Sequence, residues 1–167
     1  YYGRKANDYL PKYVANLTER LVNRHKDNIT TDVRVLIAGL TFKEDVDDIR
    51  LSHGLEILKN LPSRYKISVC DPYVSDNSLY TAIPDELKGK VANVFRDINE
   101  AFEGQDVVIF TVKHKQFRDL KYREIWKLIN KMRKPPIIID GWNIFPELYG
   151  TAGIVYHSVG RTFKLQV

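Results

Sequence analysis

Residues 33–52 read V-R-V-L-I-A-G-L-T-F-K-E-D-V-D-D-I-R-L-S, and this stretch decides the fold. Val33 to Ala38 is a short β-branched run ended by Gly39, the pattern of a strand buried on both faces of a parallel sheet. A polar loop follows, and Ser52 opens a helix to about Asn60 with Leu55, Ile57 and Leu58 inward. The same alternation recurs downstream. Lys66 to Cys70, Val91 to Val94, Asp106 to Thr111, Pro136 to Asp140 and Ile154 to Ser158 read as further strands. Asp97 to Phe102 reads as a helical turn, and Tyr122 to Lys131 as a helix. Strands alternating with helices predict a Rossmann-like, doubly wound α/β fold with a mainly parallel sheet.

Upstream, residues 7–24 carry apolar positions at helical spacing, with Leu10, Val14, Leu17 and Leu21 as one stripe. Asn7 or Asp8 is placed to cap this helix and Pro11 to sit in its first turn, where a missing N–H is harmless. His25 to Thr31 is polar and reads as a linker. The chain therefore divides into residues 1–30, a helix end with its linker, and residues 31–167, the α/β domain.

Composition narrows the function. No apolar run is long enough to span a bilayer, so a membrane protein is not expected. The single cysteine, Cys70, forbids an internal disulfide and a multi-cysteine zinc site, and no signal peptide opens the chain, so a cytoplasmic protein is expected. The first residue is Tyr1 and not Met, which reads as a piece of a longer protein. A net charge of +5 admits an acidic ligand or a nucleic acid. The densest basic group, from Lys113 through Arg123 to Lys134, is expected to be a solvated helix face, and no nucleic-acid partner is expected.

In doubly wound sheets ligands bind beyond the carboxyl ends of the strands, at the topological switch point. The strand exits are thus the informative positions: 39–50, 71–73, 111–117 and 140–143. The first is neither G-x-G-x-x-G nor a Walker A loop, so a self-contained dinucleotide or ATP site is not expected. Lys43 beside Phe42 pairs a cation with an aromatic ring, a combination that can hold a phosphate and a base or sugar. Arg50 has two simple partners, Asp48 and Asp71, and Ser52 suits a helix cap, so this group reads equally as structural or functional. Cys70 ends an apolar strand beside a carboxylate and reads as packing, not as a nucleophile. His114, between two lysines, reads as a surface histidine; His53 and His157 have no metal-ligand spacing, and no metal is expected.

Taken together, G-L-T-F-K-E-D-V-D-D-I-R-L-S (39–52), C-D-P-Y (70–73), T-V-K-H-K-Q-F (111–117) and I-I-I-D-G-W-N (137–143) resemble the C-terminal domain of the UDP-glucose/GDP-mannose dehydrogenase family. The opening G-R-K-A-N-D-Y-L-P-K-Y-V (3–14) resembles the end of that family's central helix. Its Arg-x-x-Asn-Asp-x-x-Pro form, with the later His-x-x-Phe, is similar to the UDP-N-acetylhexosamine branch. The resemblance implies a Rossmann-like domain that binds the UDP part of a UDP-sugar, with NAD held mainly by an N-terminal domain outside this chain. It implies that Phe42 and Lys43 contact the nucleotide sugar and that Arg50 reaches the NAD phosphates. Asp48, Ser52 and Asp71 would support the site loop, and Arg4 and Asn143 would contact substrate. It also implies a homodimer through the central helix, whose apolar stripe would pack on the absent domain. Two departures stand out. Many relatives carry an arginine where this chain has Trp142, and an indole brings no charge. The family's catalytic cysteine motif and catalytic lysine have no counterpart, so no catalytic residue is expected here, and binding rather than turnover. Two alternatives remain at this point: a free-standing nucleotide-sugar-binding module, and a basic interaction or nucleic-acid-binding protein.

Overall fold

The computed structural model describes residues 2–26, 32–74 and 80–159, with side chains from residue 9 onward. Six strands form one parallel sheet: β1 (Arg34–Ala38), β2 (Lys66–Cys70), β3 (Val91–Phe95), β4 (Val107–Phe110), β5 (Ile137–Asp140) and β6 (Val155–Ser158). Their order is β3-β2-β1-β4-β5-β6, so the chain reverses direction across the sheet between β1 and β4. Ala38 lies level with Cys70 and with Phe110, and Phe110 with Asp140. Four strands therefore end at one height, and their exits form one rim.

The two-residue period of a strand sends alternate side chains to opposite faces. Val35 and Ile37 face one layer, with Ile57, Leu58, Ile109 and Ile139. Leu36 and Ala38 face the other, with Phe102, Phe110, Phe117 and Ile125. The first layer is covered by α1 (Tyr2–His25) and α2 (His53–Asn60). The second is covered by α4 (Ile98–Ala101), after the short α3 (Asp85–Lys88), and by α5 (Lys115–Arg118) and α6 (Tyr122–Ile129). A 3-10 turn, Pro146–Leu148, follows β5. The three short helical turns α3, α5 and Pro146–Leu148 are too brief for periodicity to reveal.

The first helix differs from its expected form. It begins by Tyr2, so Asn7 and Asp8 lie within it and not at its start, and Pro11 is an interior residue. An interior proline costs the helix one backbone hydrogen bond. Its apolar stripe is not left bare: Val14, Leu17 and Val22 are buried in the sheet's first layer, with Leu10 and Leu21 packed against it. The polar face that remains carries Lys12, Asn16, Arg20, Asn23 and Arg24. Nor is all of 25–31 a linker. His25 ends α1, and Lys26 is buried, its ammonium 3.0 Å from the Asp106 carboxylate at the start of β4. Asp106 also accepts from the Arg34 amide at 2.9 Å, so this ion pair pins the end of α1 to the base of β1 and β4. Residues 27–31 lie outside the described part of the chain.

The start of α2 is packed hard on the end of β1. A Cβ on Gly54 would lie 2.7 Å from the carbonyl oxygen of Gly39, a backbone atom with little room to yield. Alanine gains roughly 1 kcal/mol of helix propensity over glycine, but overpacking costs about 1–3 kcal/mol. Gly54→Ala is therefore expected to lower stability in urea unfolding, and an unchanged or raised midpoint would contradict this contact. At the opposite end of the strands, hydrogen bonds from Lys66 and Arg133 hold the Asp32 carboxyl at about 2, below its ordinary 3.8. Stability from this group is complete above that ordinary value and is lost as pH falls towards 2. The stability difference between the wild type and Asp32→Asn should shrink as pH is lowered from 5 to 2; a pH-independent difference would contradict it.

Candidate functional site

The rim is organised by Asp71, at the exit of β2, whose side chain is fully buried. Its Oδ2 accepts from the amides of Leu40 (2.7 Å) and Thr41 (3.2 Å) at the exit of β1. Its Oδ1 accepts from the Tyr73 amide at 2.9 Å. His114, at the exit of β4, places Nε2 3.1 Å from Asp71 Oδ2 and 3.3 Å from Thr41 Oγ1. The other ring nitrogen, Nδ1, accepts from the Asp45 amide at 3.0 Å, so the imidazole proton sits on Nε2 and is donated to Asp71. Tyr73 stacks on the imidazole, with ring centroids 4.8 Å apart. The surface reading of His114 is thus corrected: it is 0% exposed and bridges three strand exits. A polar residue there stays buried because carboxylate and amide partners converge on it.

This network shapes the 39–52 loop. Thr41 Oγ1 donates to the Lys43 carbonyl at 2.7 Å, and the Phe42 amide donates to the Asp48 carbonyl at 2.7 Å. Asp45 accepts from the Lys115 amide at 2.7 Å, which holds its carboxyl below the usual range. Phe42 and Lys43 are left exposed at the tip, the Lys43 ammonium 5.8 Å from the Phe42 ring centre. Of the two partners available to Arg50, the structure selects Asp48. Two side-chain hydrogen bonds, at 2.9 and 2.7 Å, hold the carboxyl at about 2, and the Arg50 side chain is 86% exposed. Ser52 is the α2 cap, its Oγ accepting from the Leu55 amide. The non-glycine residues of positive φ among the described ones, Asp45, Leu51 and Asn143, all lie in exit loops. Such backbone costs of order 1–3 kcal/mol each and concentrates at functional sites.

Across the switch point, Trp142 donates its indole N–H to the Thr111 carbonyl at 2.9 Å, and its amide donates to Asp140 at 3.0 Å. Asp140 also accepts from the Phe145 amide and the Tyr156 hydroxyl, so the β5 exit is fixed by a buried carboxylate in the manner of β2. The Lys113 ammonium lies 5.0 Å over the Trp142 ring. Asn143 is exposed, and its side-chain oxygen accepts from Ser158. Behind Trp142 opens a cleft of about 290 Å³, lined by Leu10 and Pro11 of α1, His53 of α2, and Thr111 and Gly141. Cys70 is buried, and burial beside Asp71 pushes its thiol pKa strongly up, so it is packing. Among the described residues no cluster could hold a metal, and no helix is long and apolar enough to cross a membrane. Of the expected site residues, Phe42, Lys43, Arg50 and Asn143 share the rim, with Asp48, Ser52 and Asp71 supporting it; Arg4 lies on α1, but its side chain is outside the described residues. Sequence reading missed His114, Asp140 and Lys113. A signal existed for Asp140, an aspartate closing a buried strand much as Asp71 follows one.

Residues 36–147 match the UDP binding domain of the UDP-glucose/GDP-mannose dehydrogenase family. A UDP-N-acetyl-D-mannosamine dehydrogenase of Methanococcus aeolicus is 29% identical over 83% of this chain and 28% of its own length. A UDP-glucose 6-dehydrogenase of Rickettsia typhi is 30% identical over 75% of this chain and 27% of its own. Among solved structures, an NDP-N-acetyl-D-galactosaminuronic acid dehydrogenase of Methanosarcina mazei superimposes with a TM-score of 0.71 at 26% identity, over 95% of this chain and 30% of that one. The chain spans less than a third of the length of these relatives. The matched stretch begins within β1, contains β2, β4 and β5, and holds the exit-loop residues from Gly39 to Asn143, while Arg4, Leu10, Pro11, Tyr156 and Ser158 lie outside it. The chain belongs to the UDP-glucose/GDP-mannose dehydrogenase family and contains that family's UDP binding domain.

Proposed function

We propose that this chain is the substrate-binding end of an NAD-dependent UDP-sugar 6-dehydrogenase, and that its site holds the UDP moiety at the switch-point rim. The observation that carries the proposal is the exposed Phe42–Lys43 tip, held beside the switch point by the buried Asp71–His114 network. Lys43 makes no ion pair with any described residue, so its charge is available to a phosphate, and Phe42 offers a face to a ring. Asn143 at the β5 exit adds an amide donor, and Arg4 completes the substrate contacts. Arg50 points outward from the same loop, oriented by Asp48, and is suited to meet the phosphates of a cofactor bound elsewhere.

NAD does not fit as a resident of this domain. The β1-to-α2 connection is a long loop over 39–52, and Gly54 is closed off by the Gly39 carbonyl, so no phosphate cradle forms at α2. Converting the sugar C6 alcohol and one water into a carboxylate takes two successive two-electron oxidations, for which NAD bound by the parent enzyme would supply the hydride acceptor twice; the cysteine nucleophile such a reaction would need cannot be the buried Cys70. This chain binds and orients the substrate, and by itself is inactive. The NAD domain lies outside it, and a homodimer forms through the central helix, whose end, with a linker, is residues 1–30. UDP-N-acetylmannosamine or a related UDP-sugar is the proposed substrate. The Arg4-x-x-Asn7-Asp8-x-x-Pro11 and His114-x-x-Phe117 patterns support the amino-sugar branch, while relatives named for either sugar class match about equally.

Calorimetric titration of the chain should show UDP binding that weakens about tenfold or more in Lys43→Ala, the scale of one charge-assisted hydrogen bond. Equal affinities in the two proteins would contradict the site. His114→Phe leaves Asp71 and the Asp45 amide each short of a buried partner, and is expected to cost about 1–3 kcal/mol of stability. It should also weaken UDP binding, because the Phe42–Lys43 loop loses its anchor. A variant with lowered stability but wild-type UDP affinity would show that the network does not position the site.

A further inference from the structure

Most cations at the rim are neutralised by carboxylates. Arg50 pairs with Asp48, Arg118 with Asp45, and Lys115 with Asp119. Lys113 is different. Its nearest carboxylate, Glu44, lies 4.0 Å away, the outer limit of an ion pair, while its ammonium rests 5.0 Å over the Trp142 ring. An aromatic face attracts and orients an ammonium without cancelling its charge, so the cation stays available to an anion. Trp142 is a firm platform, since its indole N–H is bonded to the Thr111 carbonyl and its backbone amide to Asp140. Lys43 is the one other rim cation set against a ring rather than a carboxylate among the described residues. The two stand on the exits of β1 and β4, hydrogen-bonded neighbours at the switch point, and adjacent strands lie only about 5 Å apart.

We infer that Lys113, carried on the Trp142 ring, is a second anion-binding residue of the rim and contacts the diphosphate of a bound nucleotide from the side opposite Lys43. The inference rests on reading the rim as a nucleotide-sugar site. It gives Trp142 a role: the indole supplies no charge, but it props a lysine from the neighbouring strand exit over itself. Glu44 competes with the diphosphate for the same ammonium, and binding displaces it into solvent.

The test is titration of UDP into the wild type, Lys113→Met, Lys113→Arg and Glu44→Gln. The Lys113 side chain is 38% exposed and methionine keeps most of its stem, so the unfolding temperature should hold. Lys113→Met is expected to weaken UDP binding by about tenfold to a hundredfold, the range of a hydrogen bond to a charged group. Lys113→Arg should recover most of that loss, and Glu44→Gln should tighten binding, which a merely structural role would not produce. If Lys113→Met binds UDP like the wild type while Lys43→Ala is weakened, the Lys113 inference is overturned and the proposed site stands. If arginine fails to rescue, Lys113 is not acting through its charge and the inference is likewise overturned. Absence of UDP binding by the wild type would overturn both.

Discussion

A buried carboxylate with no charged side chain beside it has to be met by hydrogen bonds, and that requirement at Asp71 fixes the rim of this sheet. Three backbone amides and an imidazole converge on its two oxygens, drawn from the exits of β1, β2 and β4. Hydrogen bonds to charged groups each contribute about 1.5–3 kcal/mol, so the loop conformation around them is strongly preferred over alternatives. His114 carries the constraint one step further. Because its Nδ1 accepts from Asp45, the ring is locked between the two loops, and the exposed Phe42–Lys43 tip is held on a rigid base. Asp140 repeats the device at β5 and fixes Trp142.

The consequence is a division between a rigid lower layer and a chemically open upper one. Below lie buried carboxylates, capped helices and a close glycine contact; above them stand two lysines against aromatic rings, an exposed arginine and an amide. Such a surface is preorganised for anions, because its cations are oriented before the ligand arrives. α1 belongs to the rigid part. Its apolar stripe is buried in the sheet's first layer and its end is tied to Asp106, so its first turns are set relative to the cleft behind Trp142.

Much of the fold could be read directly from the sequence, since each strand is a β-branched run stopped by glycine, aspartate or a turn, and the alternation with helices admits few sheets. The start of α1 could not, because Asn7 and Asp8 look like caps and Pro11 looks like a first-turn residue. The helix runs through all three, starting at Tyr2. At the site, Phe42 and Lys43 stand out locally because their chemistry is in adjacent residues. His114 was hidden, since what buries it comes from positions 41, 45 and 71, and no local pattern distinguishes a histidine between two lysines on a surface from one under a loop. Lys113 over Trp142 is equally non-local, joining two strand exits far apart in sequence.

Backbone amide NMR of the chain titrated with UDP tests the location of the site most directly. The largest shifts should fall on Thr41 to Asp45, Val112 to Lys115 and Trp142 to Asn143, the three exit loops that Asp71, His114 and Asp140 hold together. Shifts concentrated on the polar outer face of α1 or on the α6 surface, with those loops unmoved, would contradict a nucleotide site at the switch point.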